Sequence, residues 1–233
     1  MAEPKKKRDT SKLLSALLFF TLVLSAIYSL VRMLLAPDAL PDGQDYTHLK
    51  SDYLLMLIQC LLGLAVFSLP ALASRKWKLE IPNFISIMYY LFLYCAIILG
   101  EVLDFYYLVP HWDTILHFFS GAMLGALGFI LVEWLNASEK VRVSLSPAFI
   151  SLFAFCFALS CGAIWEIYEF SCDTLLGLNM QKYATGAGEQ LMGRLALKDT
   201  MKDLVIDALS AALMAVLGFV RIKTSRAAHI VKE

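Results

Sequence analysis

Charged residues are scarce in this sequence, and that scarcity excludes several classes of protein. Only 17% of the 233 residues are charged, whereas 59% are hydrophobic. A soluble domain of this size carries more charge and rarely contains such long apolar runs. Basic and acidic residues balance at 20 each, so the net charge indicates neither a nucleic-acid partner nor an acidic one. The composition predicts an integral membrane protein in contact with membrane lipid.

Cysteine and histidine are also sparse, and common catalytic motifs are missing. The five cysteines lie inside apolar runs, their number is odd, and no spacing indicates a zinc site. We therefore expect them to pack as small apolar residues. The sequence contains no Gly-x-Ser-x-Gly nucleophile motif and none of the Glu-x-x-His motifs of di-iron bundles. Serine-hydrolase and di-iron chemistry are thus disfavoured.

Long hydrophobic runs are what the sequence does contain. A helix needs roughly 20 mostly apolar residues to cross a hydrocarbon core about 30 Å thick. Six segments meet this requirement: 13–36, 52–73, 84–108, 114–136, 148–172 and 199–221. We predict an all-α polytopic bundle of six transmembrane helices. The membrane domain would cover 13–221, between a basic cytoplasmic N-terminus at 1–12 and a cytoplasmic tail at 222–233.

Lysine and arginine are distributed unevenly around these runs. With the N-terminus inside, most of them flank the inner ends, including the basic run from Lys5 to Arg8. Cytoplasmic flanks carry the excess of positive charge in membrane proteins. The distribution predicts that both termini are cytoplasmic (N-in, C-in).

Acidic residues gather at the predicted outer ends of helices three to six. Because residues three or four positions apart share one helix face, each of these helices presents a polar stripe. The stripes are Glu101/Asp104, Asp113/His117, Glu166/Glu169/Asp173 and Asp199/Asp203/Asp207. At about 1.5 Å per residue, Asp207 lies about 12 Å beyond Asp199 along the axis. Ionisable residues at such depth are costly and by default mark a functional site.

Helix capping explains only some of these acids, because those at the C-terminal ends of helices three and five oppose the helix dipole. Carboxylates in such number must share protons, pair with cations or bind a metal. We predict a divalent-cation site on the extracytoplasmic side, with Mg²⁺, Ca²⁺ or Mn²⁺ favoured over Zn²⁺. The candidate ligands are Glu101, Asp104, Asp113, His117, Glu166, Glu169, Asp199, Asp203 and Asp207.

Three functional hypotheses remain open. The first is a metal-assisted enzyme acting on a lipid or a lipid-linked envelope intermediate, with His117, Glu166 and Asp203 as catalytic candidates. The second is a proton- or cation-coupled transporter, and the third is a non-catalytic accessory protein with a structural cation. Candidate substrate contacts are Arg194, Lys198, Gln181 and Asn179.

Helix four also contains Gly121, Gly125 and Gly128 among bulky apolar residues. Small residues at this spacing let neighbouring transmembrane helices approach closely. We expect these glycines to serve packing rather than chemistry.

Four ordered motifs resemble the YjdF-type family of bacterial inner-membrane proteins. They are Trp112-Asp113-Thr114-x-x-His117-Phe118 followed by Ser120-Gly121, then Trp165-Glu166-Ile167-Tyr168-Glu169-Phe170, Gly177-Leu178-Asn179-Met180-Gln181 and Asp199-Thr200-Met201-x-Asp203-Leu204. The resemblance implies a multi-pass protein of the bacterial inner membrane. That family has no established activity, so no substrate follows from it.

A second resemblance is to VanZ-like membrane proteins, which are associated with resistance to glycopeptide antibiotics. Asp113/His117, Glu166/Glu169, Arg194 and Asp203 follow the order of polar residues in that family. Asp207 stands where an asparagine is expected, and Ser210 stands where a glycine is expected. We do not transfer antibiotic resistance on this pattern.

Overall fold

The structure, a computed structural model, describes residues 10–39, 48–136, 145–185 and 189–230. The basic run from Lys5 to Arg8, on which the predicted orientation partly depends, lies outside the described residues.

The predicted all-helical architecture is confirmed. The helices are α1 (Thr10–Leu35), α2 (Lys50–Val66), α3 (Leu69–Trp77), α4 (Asn83–Leu93), a π-helical segment (Tyr94–Val102), α5 (Phe105–Leu108), α6 (Trp112–Asn136), α7 (Pro147–Leu176) and α8 (Lys198–Ile230). Within the part of the chain that the structure describes, they supply 6 helical stretches that are long and apolar enough to cross a membrane. α2 and α3 together form one of these stretches, and α4 with the π-helical segment forms another.

Helix boundaries differ from the prediction most in the second, third and sixth spans. The sixth is part of α8, which runs to Ile230, nine residues beyond the predicted end at 221. The second continues to Trp77 and ends where Lys78 adopts a left-handed backbone conformation with φ 53°. The third leaves α-helical geometry at Tyr94 and ends at Val102, six residues before the predicted boundary. Its last turn closes on a hydrogen bond from Leu103 N to Ile98 O, five residues back (3.0 Å). Hydropathy does not detect such a change, because it depends on which side chains are present and not on the hydrogen-bond register of the backbone.

The chain divides into two compact units. The first comprises residues 1–38 and 48–110. In it, α1 packs against α2, α4 and the π-helical segment. Its buried core is almost entirely apolar and includes Leu18, Leu22, Cys60 and Ile97. Burying these side chains against one another is the packing expected of an ordinary hydrophobic core.

The second unit comprises residues 39–47 and 111–233, and in it α6, α7 and α8 each pack against the other two. The glycines of α6 lie at these contacts, as predicted. A Cβ on Gly121 would lie 2.1 Å from Ser210 Oγ of α8, and one on Gly128 would lie 2.8 Å from Ala154 Cα of α7. Gly125 faces Met214 of α8 in the same way. The glycines therefore allow the three helices to approach closely.

None of the five cysteines, all of which lie in the described residues, forms a disulfide. Cys60 and Cys172 are buried, whereas Cys156 is exposed on the surface of the second unit.

Candidate metal centre

Helices α6 and α8 begin at the same end of the second unit, where α7 ends. Each contributes acidic or imidazole side chains to the interior at that end. His117 of α6 is 8% exposed, Glu166 of α7 is 5% exposed, and Asp203 and Asp207 of α8 are each 2% exposed. The polar stripes predicted for these three helices therefore face inward rather than toward lipid or headgroups.

His117 lies between two carboxylates. Its Nδ1 atom is 3.3 Å from Asp207 Oδ1 and 3.4 Å from Asp207 Oδ2. Its Nε2 atom is 3.7 Å from Asp113 Oδ1, one helical turn earlier on α6. Nδ1 is within hydrogen-bond distance of Asp207, whereas Nε2 is near Asp113 but beyond that distance, so the two ring nitrogens face different acids.

Three of the side chains, each of a type that binds metal ions, lie close together. One ligand atom each from Asp113, His117 and Asp203 lies within 4.8 Å of the other two. The Asp203 Oδ1 atom is buried and accepts no hydrogen bond from the described residues. Its nearby cation is Lys202, whose Nζ lies 3.5 Å away. Two carboxylates and one imidazole in this arrangement could hold a divalent cation.

Lys182 balances part of the negative charge at the entrance to this group. Its Nζ atom donates to Asp113 Oδ2 at 2.5 Å and to Asp199 Oδ2 at 3.1 Å. Burial disfavours the ammonium ion, but the attraction of Asp113 and Asp199 outweighs it and holds the pKa of Lys182 above its ordinary value. Lys182 therefore stays protonated and links the first turns of α6 and α8.

Asp173 organises the segment that follows α7. Its two carboxylate oxygens accept hydrogen bonds from the backbone amides of Met180 (2.7 Å) and Gln181 (2.9 Å). The helix ends at Gly177, whose φ of 66° is readily adopted only by glycine. The Gln181 side chain in turn donates to Thr200 Oγ1 of α8 at 2.8 Å. These contacts fix the segment over the ends of α7 and α8.

The two glutamates of α7 have different surroundings. Glu169 Oε1 accepts a hydrogen bond from the indole of Trp165, four residues earlier, at 2.8 Å. Both oxygens of Glu166 are buried, and neither accepts a hydrogen bond within the described part of the chain. The side chains of Thr200 and Gln181 are among its polar neighbours. Glu166 is thus a buried carboxylate whose oxygens can still accept hydrogen bonds.

The comparison with family models agrees with the membrane architecture. Residues 11–224 match the family described as "Predicted membrane protein (DUF2238)". The chain belongs to this family.

A relative from Thermotoga maritima, described as an uncharacterized protein, is 30% identical over 147 residues. The matched region covers 63% of this chain and 67% of that protein. No solved structure matches the chain. The family establishes a multi-pass membrane protein, and its description assigns no activity.

The structure brings together a large part of the predicted metal set. Asp113, His117 and Asp203 form the group described above, Asp207 contacts His117, and Asp199 reaches the group through Lys182. Glu101 and Asp104 belong to the first unit. There Asp104 Oδ2 lies 3.1 Å from His48 Nε2.

The predicted substrate contacts occupy different environments. Asn179 exchanges two hydrogen bonds with the backbone of Ala184, at 2.9 and 3.0 Å. Gln181 bonds Thr200, as described above. Arg194 and Lys198 are exposed near the start of α8. Their role in substrate binding stays a prediction.

Sequence reasoning missed Lys182 and Gly162. Lys182 is a lone lysine in a long connection, and no helical periodicity links it to Asp113 or Asp199. Gly162 lies on α7 directly against Asp207, since a Cβ there would be 2.2 Å from Asp207 Oδ2. A glycine one turn before Glu166 on a helix rich in acids was the available signal.

Proposed function

We propose that this protein is a metal-dependent membrane enzyme that acts on a lipid or lipid-linked substrate at the extracytoplasmic face. The observation that carries the proposal is the group of Asp113, His117 and Asp203, of which His117 and Asp203 are buried and whose ligand atoms lie within 4.8 Å of one another. Burying acids inside a membrane bundle is costly unless a cation compensates them. A bound divalent ion supplies that compensation.

The orientation of His117 supports the same proposal. A metal-binding histidine usually donates its second ring N–H to a carboxylate, which fixes the tautomer and raises the basicity of the ligating nitrogen. Asp207 lies beside Nδ1 at 3.3 Å, and this leaves Nε2 directed toward Asp113. We assign Asp207 as the positioning residue and Nε2 as the ligand atom.

The mixed donor set narrows the choice of ion. Carboxylates favour hard cations, whereas an imidazole favours borderline transition metals. Among Mg²⁺, Ca²⁺ and Mn²⁺, the ion that accepts both kinds of donor most readily is Mn²⁺. Such an ion lowers the pKa of a bound water and polarises an ester or phosphoryl oxygen. Glu166, a neighbour of this group, is the candidate for accepting or returning a proton.

The predicted orientation of the helices indicates the side of the membrane on which the proposed site lies. If both termini are cytoplasmic, α6 and α8 begin on the extracytoplasmic side, so the group lies in the outer half of the bilayer. Lipids and lipid-linked envelope intermediates present their ester and phosphate groups at that level. The exposed Arg194 and Lys198 would then stand near anionic groups of the substrate.

Thermal unfolding of the purified protein after chelation, with Mn²⁺, Mg²⁺, Ca²⁺ or Zn²⁺ added back, tests the proposal. A saturating ion at 100 times its Kd stabilises a protein by about 2.7 kcal/mol. We expect Mn²⁺ to raise the unfolding temperature of the wild type but not that of Asp203→Asn or His117→Gln. Glu133→Gln is the matched control, because Glu133 lies exposed toward the far end of α6. If no ion stabilises the wild type, the proposal is wrong.

A second candidate function is proton coupling in a transporter. The observation in its favour is that His117 contacts a carboxylate through each ring nitrogen, an arrangement that could pass a proton from Asp113 to Asp207. Reconstituted vesicles with an internal pH indicator distinguish the two functions. Proton movement that is lost in His117→Gln and is insensitive to chelation would favour the transporter.

A further inference from the structure

A cavity of about 720 Å³ lies between α7 and α8 in the second unit, beneath the segment that Asp173 organises. Its wall is mainly apolar and includes Ala163, Ile167, Phe170 and Leu204. The cavity is large enough for a lipid headgroup with part of an acyl chain.

The cavity opens toward the surface of the unit. Ile167 is 63% exposed, Phe170 is 59% exposed and Leu197 is 61% exposed, although all three line the cavity. α7 and α8 each belong to a stretch apolar enough to span a membrane. In a membrane, the opening beside Ile167 and Phe170 would meet lipid, and a molecule would enter it sideways from the bilayer.

The polar residues that line the cavity are Glu166, Asp173, Thr174, Gln181, Tyr183 and Thr200. Gln181 donates to Thr200 Oγ1 at 2.8 Å, and both side chains are neighbours of Glu166. Glu166 is 95% buried, and both of its oxygens lack a hydrogen-bond partner among the described residues. A buried carboxylate in this state is costly, and a partner that donates hydrogen bonds and carries positive charge compensates it best.

We propose that this cavity binds one phospholipid whose headgroup carries a primary ammonium, with the ammonium donating to Glu166 and an acyl chain lying along Ile167 and Phe170. The ammonium supplies both the charge and the N–H donors that the carboxylate lacks. This inference names the substrate class of the metal-dependent enzyme and rests on that proposed function for the chemical step. Binding itself requires only Glu166 and the cavity.

Lipid retention by the full-length protein tests the proposal. The protein is purified with chelator present, exchanged into mixtures of phosphatidylethanolamine, phosphatidylglycerol and phosphatidylcholine with identical acyl chains, and analysed by native mass spectrometry. Phosphatidylglycerol offers hydroxyl donors without positive charge, and phosphatidylcholine offers positive charge without a donor. We expect phosphatidylethanolamine to be retained about tenfold over both, as a charge-assisted hydrogen bond provides.

Two variants and one control locate the site. Glu166→Met keeps the approximate size but removes the acceptor, so the retention ratio should fall to about one. Ala163→Trp fills the cavity, so bound lipid should be lost while the far-ultraviolet circular dichroism is unchanged. Glu133→Met, on the exposed side of α6, should retain the wild-type preference.

Equal retention of the three lipids, a preference for phosphatidylglycerol, or a preference that persists in Glu166→Met would overturn the inference. Because chelator is present, these outcomes are separate from the metal titration. A lipid preference without any ion effect would keep this binding site and reject the metal-dependent enzyme. Stabilisation by an ion without a lipid preference would support the metal-dependent enzyme and reject this lipid-binding site.

Discussion

The two units of this chain use the interior of a helical bundle in opposite ways. The interior of the first is built from leucine, isoleucine, tyrosine and cysteine, with Ser29 and Gln59 as its buried uncharged polar residues. The interior of the second contains His117, Glu166, Asp203 and Asp207. The same fold class thus supports a purely structural core in one unit and an electrostatically costly one in the other. Because ionisable residues buried within a membrane bundle usually mark a functional site, that contrast favours the second unit as the candidate location.

The largest expected effect comes from close packing at the buried acids. In Gly162→Ala, the new Cβ would lie 2.2 Å from Asp207 Oδ2 and 2.9 Å from its Cγ. A short aspartate pressed between helices cannot move aside easily, so we expect a loss of about 3 kcal/mol in the free energy of unfolding, despite the better helix propensity of alanine. Denaturant titration in detergent measures this.

The matched change in the first unit is Gly63→Ala, whose Cβ would meet the terminal methyl groups of Ile97 and Leu22. Those side chains can rotate, so the variant should remain within about 1 kcal/mol of wild type. The double variant Gly162→Ala/Asp207→Ala should lose less than the sum of the two single losses. Additive losses would show that Asp207 is not what Gly162 accommodates.

Removing the cation that bridges α6 and α8 should have the next largest effect. Lys182→Met leaves Asp113 and Asp199 without their shared partner, and we expect a loss of about 2 kcal/mol. In the first unit, Lys50→Met removes a solvent-exposed pair with Asp38 and should cost at most about 0.5 kcal/mol. Unfolding titrations of both variants give the comparison.

The pH dependence of the Lys182 contribution follows from its raised pKa. A lysine with a raised pKa contributes its full share of the free energy of unfolding at any pH below its ordinary pKa of 10.5. That contribution is lost as the pH rises above 10.5. The stability difference between wild type and Lys182→Met should therefore stay constant from neutral pH to about 10 and then decrease. A difference that decreases below pH 9 would contradict the assigned pairing.

The smallest expected changes in stability come from substituting two acidic residues of α7, Glu166 and Asp173. Without a divalent ion, Glu166→Gln removes a buried charge that has no hydrogen-bond partner in the described residues, so it should stabilise the protein by about 1 kcal/mol. Asp173→Asn weakens two hydrogen bonds from the amides of Met180 and Gln181, so it should destabilise by about 1 kcal/mol. Calorimetric unfolding of both variants in the presence of chelator measures whether their changes in stability have opposite signs. Equal signs would contradict the distinction between the two carboxylates.

The sequence alone determined the membrane architecture, because twenty-residue apolar runs are a local property that hydropathy measures directly. It also determined which helices carry acids on one face, because that face follows from helical periodicity. The prediction that the acidic stripes of four helices share one site came from the high free-energy cost of exposing charged groups to lipid. His117, Glu166, Asp203 and Asp207 are buried in the second unit, whereas Glu101 and Asp104 belong to the first, so one site shared by all four stripes stays a prediction. The orientation of the termini stays a prediction.

Only the tertiary structure decided which of these acidic residues contact one another and which contact other partners. Periodicity gives a direction around each helix but no distance between helices, so the sequence did not select Asp113, His117 and Asp203 from nine candidate ligands. It also did not place Lys182 between Asp113 and Asp199, since the path of an irregular segment depends on contacts such as those of Asp173. The end of the third span at Val102 came from π-helical geometry, which leaves no mark on hydropathy. The local sequence pattern determined where each helix lies in the chain and which of its faces is polar. Contacts between helices determined which side chains come together.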